Sequence, residues 1–381
     1  MSRDRRRAEG LHEESNQGDS LRGFSPQFSL TREKAGDCDM YIGFLLAILS
    51  GVCYAVCYVP VRFINKFAWE NIWFLQSLGK LVFLPILVGA WAIPSFAGLY
   101  REIDWRLNLV IVAVGLYSGV CLVLSGMALV RIGMTVTYAV ANGISLLVGA
   151  FVPLIIQHRE AMHGRLGEAL LLGMVLAVLG VVYSAIAASR QDRESAYLDP
   201  DQQKGRSRTR TMVVGLLLAI ASGILPSMNL TLAFAGVYMK VARAHGASEV
   251  FAPLALYIPG NLAAFFAMIF YFGFLWKKNG TLAQFRGPDM LRYGLWCLVI
   301  TVISFAAAIF YGWAMPWMKT YGPIIGWPVC LTVQLVVSAV IEYFCGDWRG
   351  RALRTLSFAL IVLTTSVALF AYATALIHPT I

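Results

Sequence analysis

Ten separate stretches of this chain stay apolar for about the length of a membrane span. They run approximately over 41–61, 72–96, 107–130, 132–156, 169–189, 212–236, 250–276, 293–316, 322–345 and 355–377. A helix needs roughly 20 apolar residues to cross a hydrocarbon core of about 30 Å. Most of the ten carry no Lys, Arg, Asp or Glu at all. A soluble helix needs a polar face, and a membrane barrel shows short alternating strands instead of long unbroken runs. The expectation is an all-α polytopic membrane protein with ten transmembrane helices.

The ten are organised as two fives. Leu45-Leu46-Ala47-Ile48-Leu49-Ser50-Gly51-Val52 returns as Leu217-Leu218-Ala219-Ile220-Ala221-Ser222-Gly223-Ile224. Four further apolar segments lie between the copies, so the repeating unit is five spans. An odd unit makes the second copy enter the membrane from the opposite side, which is the layout of a 5+5 inverted repeat rocking about a central site. The chain then divides into a polar N-terminal tail over 1–40 read as disordered, a first repeat over 41–189, a charged linker over 190–211, a second repeat over 212–377 and a short tail over 378–381. The linker holds Asp199-Pro200 and six basic residues, Arg190, Arg193, Lys204, Arg206, Arg208 and Arg210. With Lys277, Lys278, Arg286, Arg349, Arg351 and Arg354 on the same side, they point to a cytoplasmic linker. The net charge of +10 comes from loops and fits contact with anionic headgroups of the lipid bilayer, not with nucleic acid. Seven cysteines, mostly inside spans and without nearby histidines, read as packing residues and not as a metal site.

Polar residues inside apolar segments mark candidate sites. Lys80 stands about eight residues into the second span, at roughly 12 Å of depth by the helical rise. A charge there costs at least ~2.5 kcal/mol, so Lys80 must face a wet cavity, find a partner or lose its proton. Trp73, Gln76 and Ser77 share its helix face. An aromatic ring that stacks on a sugar and an amide that bonds its hydroxyls would suit Trp73 and Gln76; packing against another helix is the structural alternative. Span four carries Thr135, Tyr138, Asn142, Ser145 and Gly149 at spacings of three and four, a pattern that also serves helix packing. Asn142 is the exception, because a central amide needs partners for both donor and acceptor. Asn229 and Asn261 are further midplane amides, beside Pro226 and Pro259-Gly260, which are positioned to break their helices and free carbonyls. Span nine presents Trp327, Gln334, Ser338 and Glu342 along one face. Glu70 and Glu342 are the carboxylates closest to the spans and so the proton-coupling candidates.

Several segments resemble one family. Trp69-Glu70-x-x-Trp73 opens span two and Leu84-Pro85 follows. Gly126-Met127-Ala128-Leu129-Val130-Arg131-Ile132-Gly133-Met134 joins spans three and four, and Leu147-Val148-Gly149-Ala150-Phe151-Val152-Pro153-Leu154-Ile155-Ile156 closes span four. Together they resemble the bacterial L-rhamnose–proton symporter family, a ten-span branch of the drug/metabolite transporter superfamily. The chain departs from it at Lys80, where that family carries a small residue, and in its long N-terminal tail. The resemblance implies proton-coupled uptake of a deoxyhexose sugar across the cell inner membrane. It makes Glu70 a motif residue and requires no cofactor. Another small polar solute, a sugar acid or an exported metabolite, is the alternative cargo. The chain has no phosphate-binding loop to use ATP. Its histidines, His12, His158, His163, His245 and His378, sit in the tail or loops, and no catalytic constellation marks an enzyme.

Overall fold

The computed structural model describes residues 37–64, 66–132, 134–157, 164–198, 208–224, 235–318, 321–346, 348 and 350–377. They are helical, with no strand among them. In chain order the helices are α1 (Asp37–Val56), α2 (Trp69–Ala92), α3 (Phe96–Glu102), α4 (Trp105–Ile132), α5 (Met134–Gln157), α6 (Gly164–Leu198), α7 (Arg208–Gly223), α8 (Ala235–Ala244), α9 (Leu254–Asn279), α10 (Met290–Met318), α11 (Trp327–Phe344) and α12 (Gly350–Ile377). Eight helices are long and apolar enough to cross a membrane, and two apolar stretches, Val136–Leu146 and Met212–Gly223, are shorter. Eight of the ten expected segments are such helices among the described residues, and the two shorter stretches fall within the other two, the fourth and the sixth. The sixth expected segment ends as a described helix at Gly223, and 225–234, with Pro226 and Asn229, lie outside the described residues. Helix α6 runs on to Leu198, into the segment read as a linker.

Glycine sets the helix spacing. A Cβ on Gly51 would stand 2.5 Å from the Cys330 carbonyl oxygen of α11, and one on Gly223 would collide with the Ala141 carbonyl of α5. The same holds where Gly115 and Gly119 of α4 meet the Gly260 and Ala264 carbonyls of α9. In a bilayer, close backbone approach is a main source of helix association, because lipid offers no hydrophobic drive between helices. The outward faces carry exposed Leu87, Trp91, Leu172, Phe270 and Ile361, surface that hydrocarbon solvates and water would not.

Prolines shape two of the walls. Pro85 has no N–H for the Leu81 carbonyl four residues back. Over Leu78–Phe83 the helix slips to the wider π register, and the Leu84 N–H closes on the Gly79 carbonyl. Such bulges occur frequently at functional sites. Pro259 sits inside α9 without ending it. The carbonyl it frees is that of Ala255, and the Tyr100 hydroxyl donates to it at 3.0 Å. That carbonyl is thus satisfied by protein, not left for a ligand. Tyr100→Phe strands it and should lower stability by about 1–3 kcal/mol, read as a drop in melting temperature in detergent.

Candidate functional site

A cavity of about 280 Å³ opens between α1, α2, α4, α9, α10 and the start of α11. Its size lies near the lower end of small-molecule pockets, roughly 300–1,000 Å³. Lys80 enters it from the π segment of α2, together with Leu81 and Pro85. Across from it stands Tyr54 of α1, and the Lys80 Nζ lies 4.9 Å from the centre of the Tyr54 ring. A cation over an aromatic face gains about 0.5–2 kcal/mol, which offsets part of the cost of a charge at this depth. From α9 come Tyr257, Gly260 and Asn261, and from α10 Phe305, Gly312 and Trp313. Pro316 of α10 has no N–H to give to the Gly312 carbonyl four residues back.

The polar groups in this space are few and incompletely used. The Tyr257 hydroxyl is buried without a hydrogen-bond partner among the described residues. A buried hydroxyl left so is costly, and a polar solute would satisfy it. Lys80 offers three donors and no acceptor. Asn261 offers both. No Asp or Glu is among the described lining residues, so Lys80 is the charged group of the cavity.

Aromatic residues bound the space on two sides. The Trp313 indole donates to the Val250 carbonyl and its ring meets Phe251 and Phe310, with Trp91 against Phe251 beyond. Trp327 packs edge-on to Tyr311 at 5.1 Å and donates to the Ser145 hydroxyl at 3.2 Å, joining α11 to α5. Four residues on from Tyr54, just past the end of α1, and one turn back along α2 from Lys80 lies a second polar layer. There the Gln76 amide donates to the Tyr58 hydroxyl at 3.5 Å, and the Tyr58 ring lies 6.3 Å from that of Tyr138.

The residues singled out in the sequence thus fall in different places. Lys80, Asn261 and Trp327 line the cavity. Gln76 belongs to the adjoining layer. Trp73 packs against Gly126 of α4 and the rings of Tyr271 and Phe272 of α9, and it stacks on Trp69. Asn142 and Gln334 are half-buried on α5 and α11, helices that pack on each other. Asn229 lies outside the described residues. Glu70 is buried at the start of α2, where its Oε1 accepts from Asn279 at 2.9 Å and from Thr281 at 2.7 Å. Beside it Asn71 bonds Thr281, Gln284 and Trp276, so this corner fastens α2 to the end of α9. Glu342, at the far end of α11, accepts from the Trp348 indole at 3.0 Å. Tyr54 and Tyr257 went unremarked in the sequence; Tyr54 is a phenol well inside an apolar run, away from the interfacial belts where tyrosine is ordinary, whereas Tyr257 stands in the first turn of α9 and carries no such signal.

Comparison with known proteins gives one family. The sequence family described as L-rhamnose-proton symport protein matches residues 37–376. Similar relatives include the L-rhamnose-proton symporter of Pectobacterium atrosepticum, 23% identical over 315 residues, covering 79% of this chain and 88% of the relative. The L-rhamnose-proton symporter of Klebsiella pneumoniae subsp. pneumoniae is 23% identical over 318 residues, covering 81% and 90%. That of Klebsiella pneumoniae strain 342 is 27% identical over 214 residues, covering 55% and 60%.

Proposed function

Because this chain belongs to the L-rhamnose-proton symport protein family, we propose that it takes up a deoxyhexose, L-rhamnose in the first instance, together with a proton. It is a transporter and not an enzyme, a multi-pass protein of the cell inner membrane. The observation that carries the reading for this chain is the cavity. A pyranose presents hydroxyls around its rim and apolar C–H faces above and below. The cavity sets Lys80, Tyr257 and Asn261 beside the aromatic faces of Tyr54, Trp313 and Trp327, which suits both surfaces.

The finer architecture is a ten-span 5+5 inverted repeat. The two motif glycines support it: Gly51 of α1 rests on the α11 backbone, and Gly223 of α7 rests on the α5 backbone. Neighbour relations support it as well. Helix α1 packs on α10 and α11 as α7 packs on α4 and α5, and α5 packs on α6 as α11 packs on α12. Each pair maps onto the other by a shift of five spans. The expected test is superposition of the two halves about an axis in the membrane plane.

Proton coupling needs a group that exchanges its proton as the cargo comes and goes. Glu70 and Glu342 carry hydrogen bonds from Asn279, Thr281 and Trp348 at helix ends. Glu70 is ten residues from Lys80, about 15 Å along α2. Lys80 is the titratable cation inside the cavity, and it takes the coupling role in this reading, with Tyr54, Cys57, Tyr257 and Cys330 as its titratable surroundings. An ammonium among apolar walls keeps its proton best while sugar oxygens solvate it. By linkage the proton then strengthens sugar binding as the sugar strengthens proton binding. Vesicles bearing the protein should accumulate labelled L-rhamnose when the outside is acidified, and a protonophore should abolish the accumulation. Accumulation indifferent to the proton gradient would sink the symport reading.

A further inference from the structure

Helices α6 and α12 pack together extensively. At the end of both spans a second pocket, of about 640 Å³, opens between them. Arg190 near the end of the α6 span, and Arg351 and Arg354 in the first turns of α12, line it, and no carboxylate is among its described lining residues. Three guanidinium groups sharing one recess repel each other. The N-terminus of α12, already the positive end of its dipole, adds to the same sign. One of the three is held in place: the Arg190 Nη1 donates to the Thr355 hydroxyl at 2.5 Å, and that hydroxyl donates on to the Arg351 carbonyl at 3.1 Å.

The pocket has a direction. The remaining lining residues are Tyr183, Ile186 and Phe358, and the Tyr183 and Phe358 rings meet edge-on at 4.7 Å. Tyr183 precedes Arg190 by seven residues and Phe358 follows Arg354 by four, so the apolar floor lies about 6–10 Å from the arginines toward the bilayer centre. The floor residues Tyr183, Ile186 and Phe358 are themselves exposed on the outer surface, as is Ile361 beyond them. Cations at headgroup depth above an apolar, outward-facing floor match a lipid: phosphate at the top, acyl chains below. Guanidinium forks suit phosphate oxygens better than ammonium groups do.

We propose that this pocket binds the headgroup of an anionic phospholipid, of the doubly charged diphosphatidylglycerol class. A headgroup with two phosphates and no amine neutralises most of the three arginine charges, whereas an ethanolamine headgroup brings its own cation among them.

The test uses the full chain purified in mild detergent, with lipid binding followed by native mass spectrometry and by thermal melting. Cardiolipin should bind the wild type more tightly than phosphatidylethanolamine and raise its melting temperature. The Arg351→Gln/Arg354→Gln variant should lose about thirtyfold in cardiolipin affinity, at roughly a fivefold effect for each basic residue near an anionic surface. Inorganic phosphate at millimolar concentration should neither displace the lipid nor reproduce its stabilisation. Equal affinity of wild type and variant for cardiolipin overturns the proposal. So does displacement by phosphate, which would make this a free-anion site. If the variant does not fold, the wild type decides by itself: no preference for cardiolipin over phosphatidylethanolamine also overturns it.

Discussion

Lys80→Met should leave the protein folded, at least as stable as the wild type, and unable to concentrate sugar. The two effects run in opposite directions, which separates a site residue from a structural one. Lys80 has no carboxylate among the described cavity residues to be orphaned by its loss. Methionine keeps most of the stem length and removes a charge that costs at least ~2.5 kcal/mol near the bilayer centre. The lost contact with the Tyr54 ring, 4.9 Å from the ammonium, returns about 0.5–2 kcal/mol of that. Melting temperature in detergent should therefore stay level or rise. Proton-driven accumulation of L-rhamnose should fall about 10- to 100-fold, the worth of a hydrogen bond from a charged donor. Lys80→Arg refines the point. A guanidinium donates as well but does not give up its proton, so this variant should also fail to accumulate sugar against a gradient. Wild-type uptake by a well-expressed Lys80→Met protein would remove Lys80 from both binding and coupling. Wild-type accumulation by Lys80→Arg would leave it a binding role without a proton.

Gly51→Ala and Gly223→Ala should each destabilise the protein, although alanine is the better helix former by about 1 kcal/mol. In each case the added methyl meets a carbonyl oxygen of the facing helix, Cys330 for Gly51 and Ala141 for Gly223. Neither obstacle is the movable tip of a side chain, so two helix backbones must separate. Overpacking of this kind costs about 1–3 kcal/mol, and valine should cost more than alanine at both positions. Gly273 of α9 is the control. It is helical, and nothing lies within 4 Å of where its Cβ would be, so Gly273→Ala should be neutral or stabilising. Melting temperatures in detergent for the three variants check the set. Stabilisation by alanine at 51 or 223 would show that those helix pairs do not approach as described.

Much of this architecture is local, and local features are legible in a sequence. Whether a helix can span depends on a run of apolar side chains within one segment, so the span near 293–316 anticipates Met290–Met318 closely. The depth of Lys80 follows from counting residues. The repeat of Leu-Leu-Ala-Ile-x-Ser-Gly is visible as letters, and the close packing of its glycines agrees with it. The sequence also determined that a cation at that depth needs a polar setting.

What surrounds that cation was decided by tertiary structure. Tyr257 and Asn261 lie on α9, far from Lys80 in the chain, and line the cavity where the glycines of α4 let α9 approach; Tyr54 enters it from α1. Nothing in the sequence of α2 distinguishes a face turned to a cavity from one turned to a neighbour. Trp73 and Lys80 share a face on a regular helix, yet Trp73 packs against Gly126 while Lys80 enters the cavity. Pro85 shifts the helix between them into the π register, which turns one end of the stripe against the other. Glu70 reads as a candidate acid from its motif, and its bonds to Asn279 and Thr281 come from residues about two hundred positions on. Periodicity reports which residues share a side of one helix. Which side meets solute, lipid or another helix depends on how all the helices pack at once, and that information is spread over the whole chain.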